Sequence, residues 1–163
     1  MSAWEYYADF VTVPLIIAVL AMLYPVNLAM VAAGIALWSI AEYVIHRHLF
    51  HRLPVMKPAH DEHHEKPSGK TGVTSWHSAL IFVTLFWLLP PSLLIGVTGG
   101  YLAYIVLHHA YHHWTIGPAS PLYAGKMRHA MHHRGDEVNF GVTTTLWDHV
   151  FRTYRQWEPR PRA

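Results

Sequence analysis

The sequence predicts an all-α membrane protein: two transmembrane helical hairpins, four membrane helices in all, beneath a cytoplasmic histidine-rich helical cap. Three observations predict it. The 163 residues are 52% hydrophobic and only 13% charged, about half the charge usual in a soluble domain. Every Lys and Arg falls in two blocks, Arg47 to Lys70 and Lys126 to Arg162, and residues 71–125 carry no formal charge. Thirteen of the fifteen histidines sit in four short clusters.

The first apolar block runs Val11–Tyr24, breaks at Pro25-Val26-Asn27 and resumes over Leu28–Ile45. The second runs Ala79–Leu89, breaks at Pro90-Pro91 and resumes over Ser92–Leu107. Proline ends helices, so each block reads as a hairpin with a tight turn. Leu28–Ile45 would be about 27 Å long as a helix, most of a bilayer core. Val11–Tyr24 and Ala79–Leu89 are shorter, and Phe10, Trp76, His77 and Ser78 are the residues that could extend them. The hairpins are therefore placed at about 10–46 and 78–112, with cap segments 47–77 and 113–163, in a single domain covering 1–163. Both basic blocks follow the second helix of a hairpin, which puts them on the cytoplasmic side of a multi-pass integral membrane protein. Met1–Phe10 has two acids and no Lys or Arg, unlike a signal peptide.

Composition excludes several classes. A net charge of +2 is too small for a nucleic-acid binder. The absence of cysteine removes disulfides, thiolate-ligated iron–sulfur clusters and cysteine nucleophiles. No Gly-x-Gly-x-x-Gly follows a strand pattern, so no nicotinamide or flavin fold is expected.

The histidine clusters are His46-Arg-His48-Leu-Phe-His51, His60-Asp-Glu-His63-His64, His108-His109-Ala-Tyr-His112-His113 and His129-Ala-Met-His132-His133. The second and fourth share the spacing i, i+3, i+4, which sets three imidazoles on one helix face. His108 and His112 are four apart. His46 and His51 are five apart, about 140° around an α-helix, so that pair needs a helix end or an unwound turn. Haem would use two histidines and structural zinc prefers cysteines. Four clusters of neutral imidazoles can enclose two metals. His77 and His149 stand apart and read as interfacial polar tips. Neutral ligands leave the metal charge unbalanced, so Glu42, Asp61, Asp136 and Asp148 are expected to accept ring N–H groups. Glu62, Glu65 and Glu137 read as a solvated face. Trp38, Tyr43, Trp76, Phe140 and Trp147 read as interfacial anchors before lipid-groove residues, and Gly34 marks close helix packing.

Taken in order, the four clusters resemble the histidine boxes of the fatty acid hydroxylase / sterol desaturase superfamily. Glu42-Tyr-Val-Ile-His-Arg-His-Leu-Phe-His51 and Asn139-Phe-Gly-Val-Thr-Thr-Thr-Leu-Trp-Asp-His-Val-Phe-Arg-Thr-Tyr154 are similar to the stretches flanking those boxes in lipid 2-hydroxylases. The resemblance implies a four-helix membrane base, a cytoplasmic cap and a di-iron centre that activates O2, which zinc could occupy after isolation. It implies His46, His51, His60, His63, His64, His108, His112, His129, His132 and His133 as metal ligands, with no catalytic side chain beyond them. His109 and His113 offer the same spacing as His108 and His112, so the register of the third box stays open. No cytochrome b5-like segment is present, so electrons are expected from an external ferredoxin or cytochrome b5-like donor, docking near Arg47, Arg52, Lys126 or Arg128. The expected function is hydroxylation of a fatty acyl or other membrane lipid. The alternatives are a sterol or lipid desaturase, a carotenoid hydroxylase, and a non-catalytic metal-binding membrane protein.

Overall fold

The computed structural model describes residues 1–70, 74–135 and 137–158. Among these residues every regular element is a helix: α1 (Ala3–Tyr7), α2 (Asp9–Leu23), α3 (Leu28–Val44) continuing as a π-helical turn (Ile45–Phe50), α4 (Lys57–Glu65), α5 (Ser75–Leu88), α6 (Pro91–His113), α7 (Tyr123–His132) and α8 (Leu146–Val150). Ala3–Leu23, Leu28–Phe50 and Pro91–His113 are long and apolar enough to cross a membrane, whereas α5 has 14 residues.

Both predicted breaks are present. Tyr24 leaves α2 in extended conformation before Pro25, and Asn27 caps α3, its side-chain oxygen accepting from Met30 N–H at 3.1 Å. Leu89 is extended, and Pro91 opens α6 at a position where no N–H is needed. Asn27 N–H donates to Ser92 Oγ (3.0 Å), which donates to the Pro25 carbonyl (3.2 Å), so the first turn is tied to the start of α6. The two turns thus share one end of the bundle, and the histidines at the far ends of α3 and α6 share the other.

The first helix starts earlier than the expected position near residue 10. Ser2 and Glu5 form a reciprocal capping box that starts α1, and Asp9 is buried rather than solvated. Its carboxylate accepts from Ser78 Oγ at 2.7 Å and Tyr101 OH at 2.6 Å, pinning α2 to α5 and α6. Asp9→Ala strands the Tyr101 hydroxyl, while Ser78 keeps the Ser75 carbonyl at 3.0 Å. A buried hydroxyl without an acceptor costs about 1–3 kcal/mol, so thermal denaturation in detergent should show a midpoint lower by roughly 3–10 °C. An unchanged midpoint would mean the pin contributes nothing.

A buried apolar cluster lies toward the turn end, where Leu20, Leu94 and Ile95 meet Ile16, Ile17, Val31, Leu85 and Leu89. Between α3 and α6 the backbones touch: a Cβ on Gly34 would reach the Leu93 carbonyl and lie 2.8 Å from Gly96 Cα. This close approach sets the spacing of the two histidine-bearing helix ends.

Candidate metal centre

The cap helices α4 and α7 lie over the ends of α3 and α6, and ten imidazoles converge between them in two sets. The first is His46, His51, His60, His64 and His132; the second is His63, His108, His112, His129 and His133. Within each set the ligand nitrogens lie within 4.8 Å of one another. These are the ten residues singled out from the sequence, and the arrangement adds two things that spacing did not show.

First, each i, i+3, i+4 triad is divided. His60 and His64 of α4 join the first set while His63 joins the second; His129 and His133 join the second while His132 of α7 joins the first. Each set takes two histidines from the end of a bundle helix and three from the cap. His64 and His133 stack at 4.3 Å on the boundary between them. Second, of the third box it is His108 and His112 that join a set. His109 and His113 stack on each other at 4.4 Å and face Tyr6, whose hydroxyl lies 3.0 Å from His109 Nδ1 and 3.4 Å from His113 Nε2. The five-residue step from His46 to His51 is accommodated by the π-turn, whose i→i+5 pattern brings both rings to one side. His48, His77 and His149 are exposed and outside both sets.

The atoms that meet are Nε2 atoms. In the first set the His46–His60, His60–His51, His60–His64 and His51–His132 Nε2 separations are 3.2, 3.0, 3.1 and 3.2 Å. In the second, His129–His112 is 2.8 Å and His133–His129 is 3.0 Å. A metal about 2.1 Å from each nitrogen places adjacent ligands about 3.0 Å apart, the edge of an octahedron or square pyramid. His46 Nδ1 lies 2.6 Å from the Phe140 carbonyl and His132 Nδ1 lies 2.9 Å from the Val138 carbonyl. A carbonyl only accepts, so Nδ1 keeps the hydrogen and Nε2 offers a lone pair. Five ring nitrogens gathered this closely in each set could hold a cation between them, and the donor set fits iron or zinc.

Burial keeps the rings neutral. It pushes His63 and His133 down to about 3 and His64 to about 4, with neighbouring imidazoles adding to the effect. His60, His129 and His132 are lowered by burial and then by their neighbours, and His51 by burial. A cavity of about 570 Å³ opens over His51, His64, His132 and His133, rimmed by Lys57, Asp61, Arg134 and Glu137.

The carboxylates differ from expectation. Among the described residues no carboxylate bonds directly to a ring of the first set; backbone carbonyls do so instead. Glu42 and Asp148 hold the loop that carries those carbonyls: Glu42 accepts from Val142 N–H, Thr143 N–H and the Thr143 hydroxyl, and Asp148 from Phe140 N–H and Gly141 N–H. Asp61 pairs with Lys57 (2.8 and 2.5 Å). Asp136 lies outside the described residues. Glu62 and Glu137 pair with Lys66 and Arg52 on the surface, and Glu65 is exposed, as a solvated face requires. Tyr43 and Phe140 are neither anchors nor groove residues; both are buried, and Phe140 packs on His46, His51 and His132. Sequence reasoning missed the Val138 and Phe140 carbonyls, since every residue has one. It also missed Asn139, whose left-handed φ of 54° is a conformation in which asparagine is enriched.

Described residues that are helical throughout their regular elements, with membrane-length helices and two five-histidine clusters, define a histidine-box membrane protein. The chain belongs to the fatty acid hydroxylase family, whose model matches residues 31–153. It is 28% identical to human fatty acid 2-hydroxylase over 96% of this chain and 50% of that protein. It is 32% identical to the Arabidopsis thaliana dihydroceramide fatty acyl 2-hydroxylase FAH2, over 76% of this chain and 59% of that one. The solved structure of full-length scs7p, with only its hydroxylase domain visible, superposes with a TM-score of 0.69 at 28% identity, covering 93% of this chain and 66% of that one. The chain spans about half the length of the curated relatives it matches.

Proposed function

We propose that this protein is an O2-dependent, non-haem di-iron hydroxylase that inserts oxygen into a C–H bond of a fatty acyl or other membrane lipid. The observation that carries the proposal is the convergence of ten neutral imidazoles in two sets with nitrogen spacings near 3 Å. The family and the names of its relatives supply the substrate class. Iron held there would supply what no side chain of the protein can, an oxidant for an unactivated C–H bond. The ten histidines are the proposed ligands, and the protein's own part is to hold them neutral, oriented and largely shielded from water.

In this reading the four bundle helices cross the bilayer, α5 as a short span, and the basic cap faces the cytoplasm. Lipid enters from the membrane while an external ferredoxin or cytochrome b5-like protein delivers electrons at the cap. Of the four basic residues expected to receive that donor, Arg47 bonds Tyr43 OH, Arg52 pairs with Glu137 and Lys126 bonds the Trp114 carbonyl. Arg128 remains from the expected four, and Arg134 on the rim of the open cavity joins it as the proposed landing place.

The test is untargeted mass spectrometry of lipids from cells making wild type or His132→Ala. A gain of one oxygen on acyl lipids, reduced at least 100-fold in the variant, is the expected result. Loss of two hydrogens would instead make the protein a desaturase, and oxygen on carotenoids would change the substrate class. No difference, with donor and O2 supplied, would overturn the oxygenase reading.

A further inference from the structure

One histidine pair of α6 lies outside both sets. His109 and His113 follow His108 and His112 by one residue, about 100° further round the helix, and so turn from the centre toward α1. Their rings stack at 4.4 Å. Both face Tyr6 of α1, whose hydroxyl lies 3.0 Å from His109 Nδ1 and 3.4 Å from His113 Nε2. Tyr7 and Phe10 close around His109, with ring centroids 6.0 and 5.5 Å away, while His113 is exposed at the end of α6.

The three donors sit on elements that are already held. Ser75 Oγ donates to the Glu5 carbonyl at 2.6 Å, tying α1 to the start of α5. Three residues beyond Tyr6, Asp9 accepts from Ser78 and Tyr101 at 2.7 and 2.6 Å. Tyr6 is thus carried between two tethers, and the histidines by a 23-residue helix. The phenol has one hydrogen, so one ring accepts it and the other must donate its own N–H to the oxygen. A divalent cation makes a single demand instead, a lone pair from each of the three atoms. Donors about 2.0–2.1 Å from such an ion lie roughly 3.0–3.4 Å apart, between octahedral and tetrahedral angles. The two separations to the hydroxyl fall in that range. Two imidazole nitrogens with one oxygen suit a borderline ion of the zinc kind.

We propose that Tyr6, His109 and His113 form a further divalent-cation site, separate from the two histidine sets, where a zinc-like ion fastens α1 to the end of α6. The helix α1 has five residues, none of them buried, and is too short to be stable alone, so a bond from the ion to Tyr6 holds what packing does not. The atoms lie outside both sets, and the proposal does not depend on the two-metal reading above.

The test uses the untagged whole chain in detergent, dialysed to equilibrium against buffered zinc(II), with bound metal counted by elemental analysis. As zinc is raised, wild type should bind one equivalent more than His113→Ala. That variant changes an exposed residue and should keep every equivalent bound at lower zinc. Losing the ring should weaken the extra equivalent by about 10–100-fold, no less than an outer-shell partner of a ligand is worth. Tyr6→Phe should weaken it in the same direction by less. Filling the site should slow amide exchange over Tyr6 to Asp9 by about tenfold in wild type and leave it unchanged in His113→Ala. No extra equivalent over His113→Ala overturns the proposal. So does an extra equivalent that Tyr6→Phe binds as tightly as wild type, or one that leaves α1 exchange unchanged, because the ion would then rest on α6 alone.

Discussion

Gly34→Val is expected to yield little or no folded protein. A Cβ at Gly34 would overlap the Leu93 carbonyl oxygen and lie 2.8 Å from Gly96 Cα and 2.9 Å from Val97 N. All three are backbone atoms of α6, so no rotamer change relieves the clash and the two longest helices must separate. Overpacking a core by a few methyl groups costs about 1–3 kcal/mol when side chains can shift; here nothing can shift but the helices. The loss compounds at the site, because α3 and α6 carry four of the ten histidines at their shared end. Gly96 is the reciprocal position, its Cβ falling on the Val31 carbonyl, and should behave alike. Gly99 has nothing within 4 Å, so Gly99→Ala should leave stability unchanged or raise it by up to about 1 kcal/mol. Size-exclusion and thermal denaturation in detergent separate the cases. A Gly34→Val protein that melts within a few degrees of wild type would show that the helix contact is looser than described.

Metal removal is expected to melt the cap while leaving the bundle folded. The helices α4 and α7 have 9 and 10 residues, below the length at which an isolated helix is stable in water. Their buried residues are His63 in α4 and Gly125, His129 and His132 in α7. The cap therefore has an imidazole core in place of an apolar one, and without cations that core is held by little beyond ring-to-ring hydrogen bonds. The bundle keeps its own apolar cluster around Leu20, Leu94 and Ile95. Hydrogen exchange should show the α4 and α7 amides exchanging at least about 100-fold faster after chelation, while those of α3 and α6 stay protected. Equal protection with and without metal would mean that the cap is held by something other than its histidines.

Much of this was legible in the sequence, for reasons that are physical. The hairpins follow from where charge is missing and where proline interrupts it, and both turns lie where Pro25 and Pro90 put them. Ten histidines at ligand spacing were enough to pick out the residues that converge. Spacing along one helix could not show that His63 leaves His60 and His64 for the other set, because that depends on α4 lying across both. Nor could it separate His108 from His109, since both have a partner four residues on and only the packing of Tyr6 against His109 and His113 divides them. The apolar block places the first helix from about residue 10; a capping box and two hydroxyls that bury Asp9 carry it further back, and those hydroxyls lie 69 and 92 positions away. The carboxylates were read as partners of the rings because side chains are what a sequence displays, whereas the partners are carbonyls.

The π-turn over Ile45–Phe50 makes a five-residue step serve where an α-helix would need four. What the site requires of its first box is an angle, and two chain lengths satisfy it. Loss of the exposed His48 would return the turn to ordinary α geometry with His46 and the next ring of its set four apart, still facing the same way. Deletion of one residue at this point is therefore expected to change the winding of one turn and keep both rings on one side.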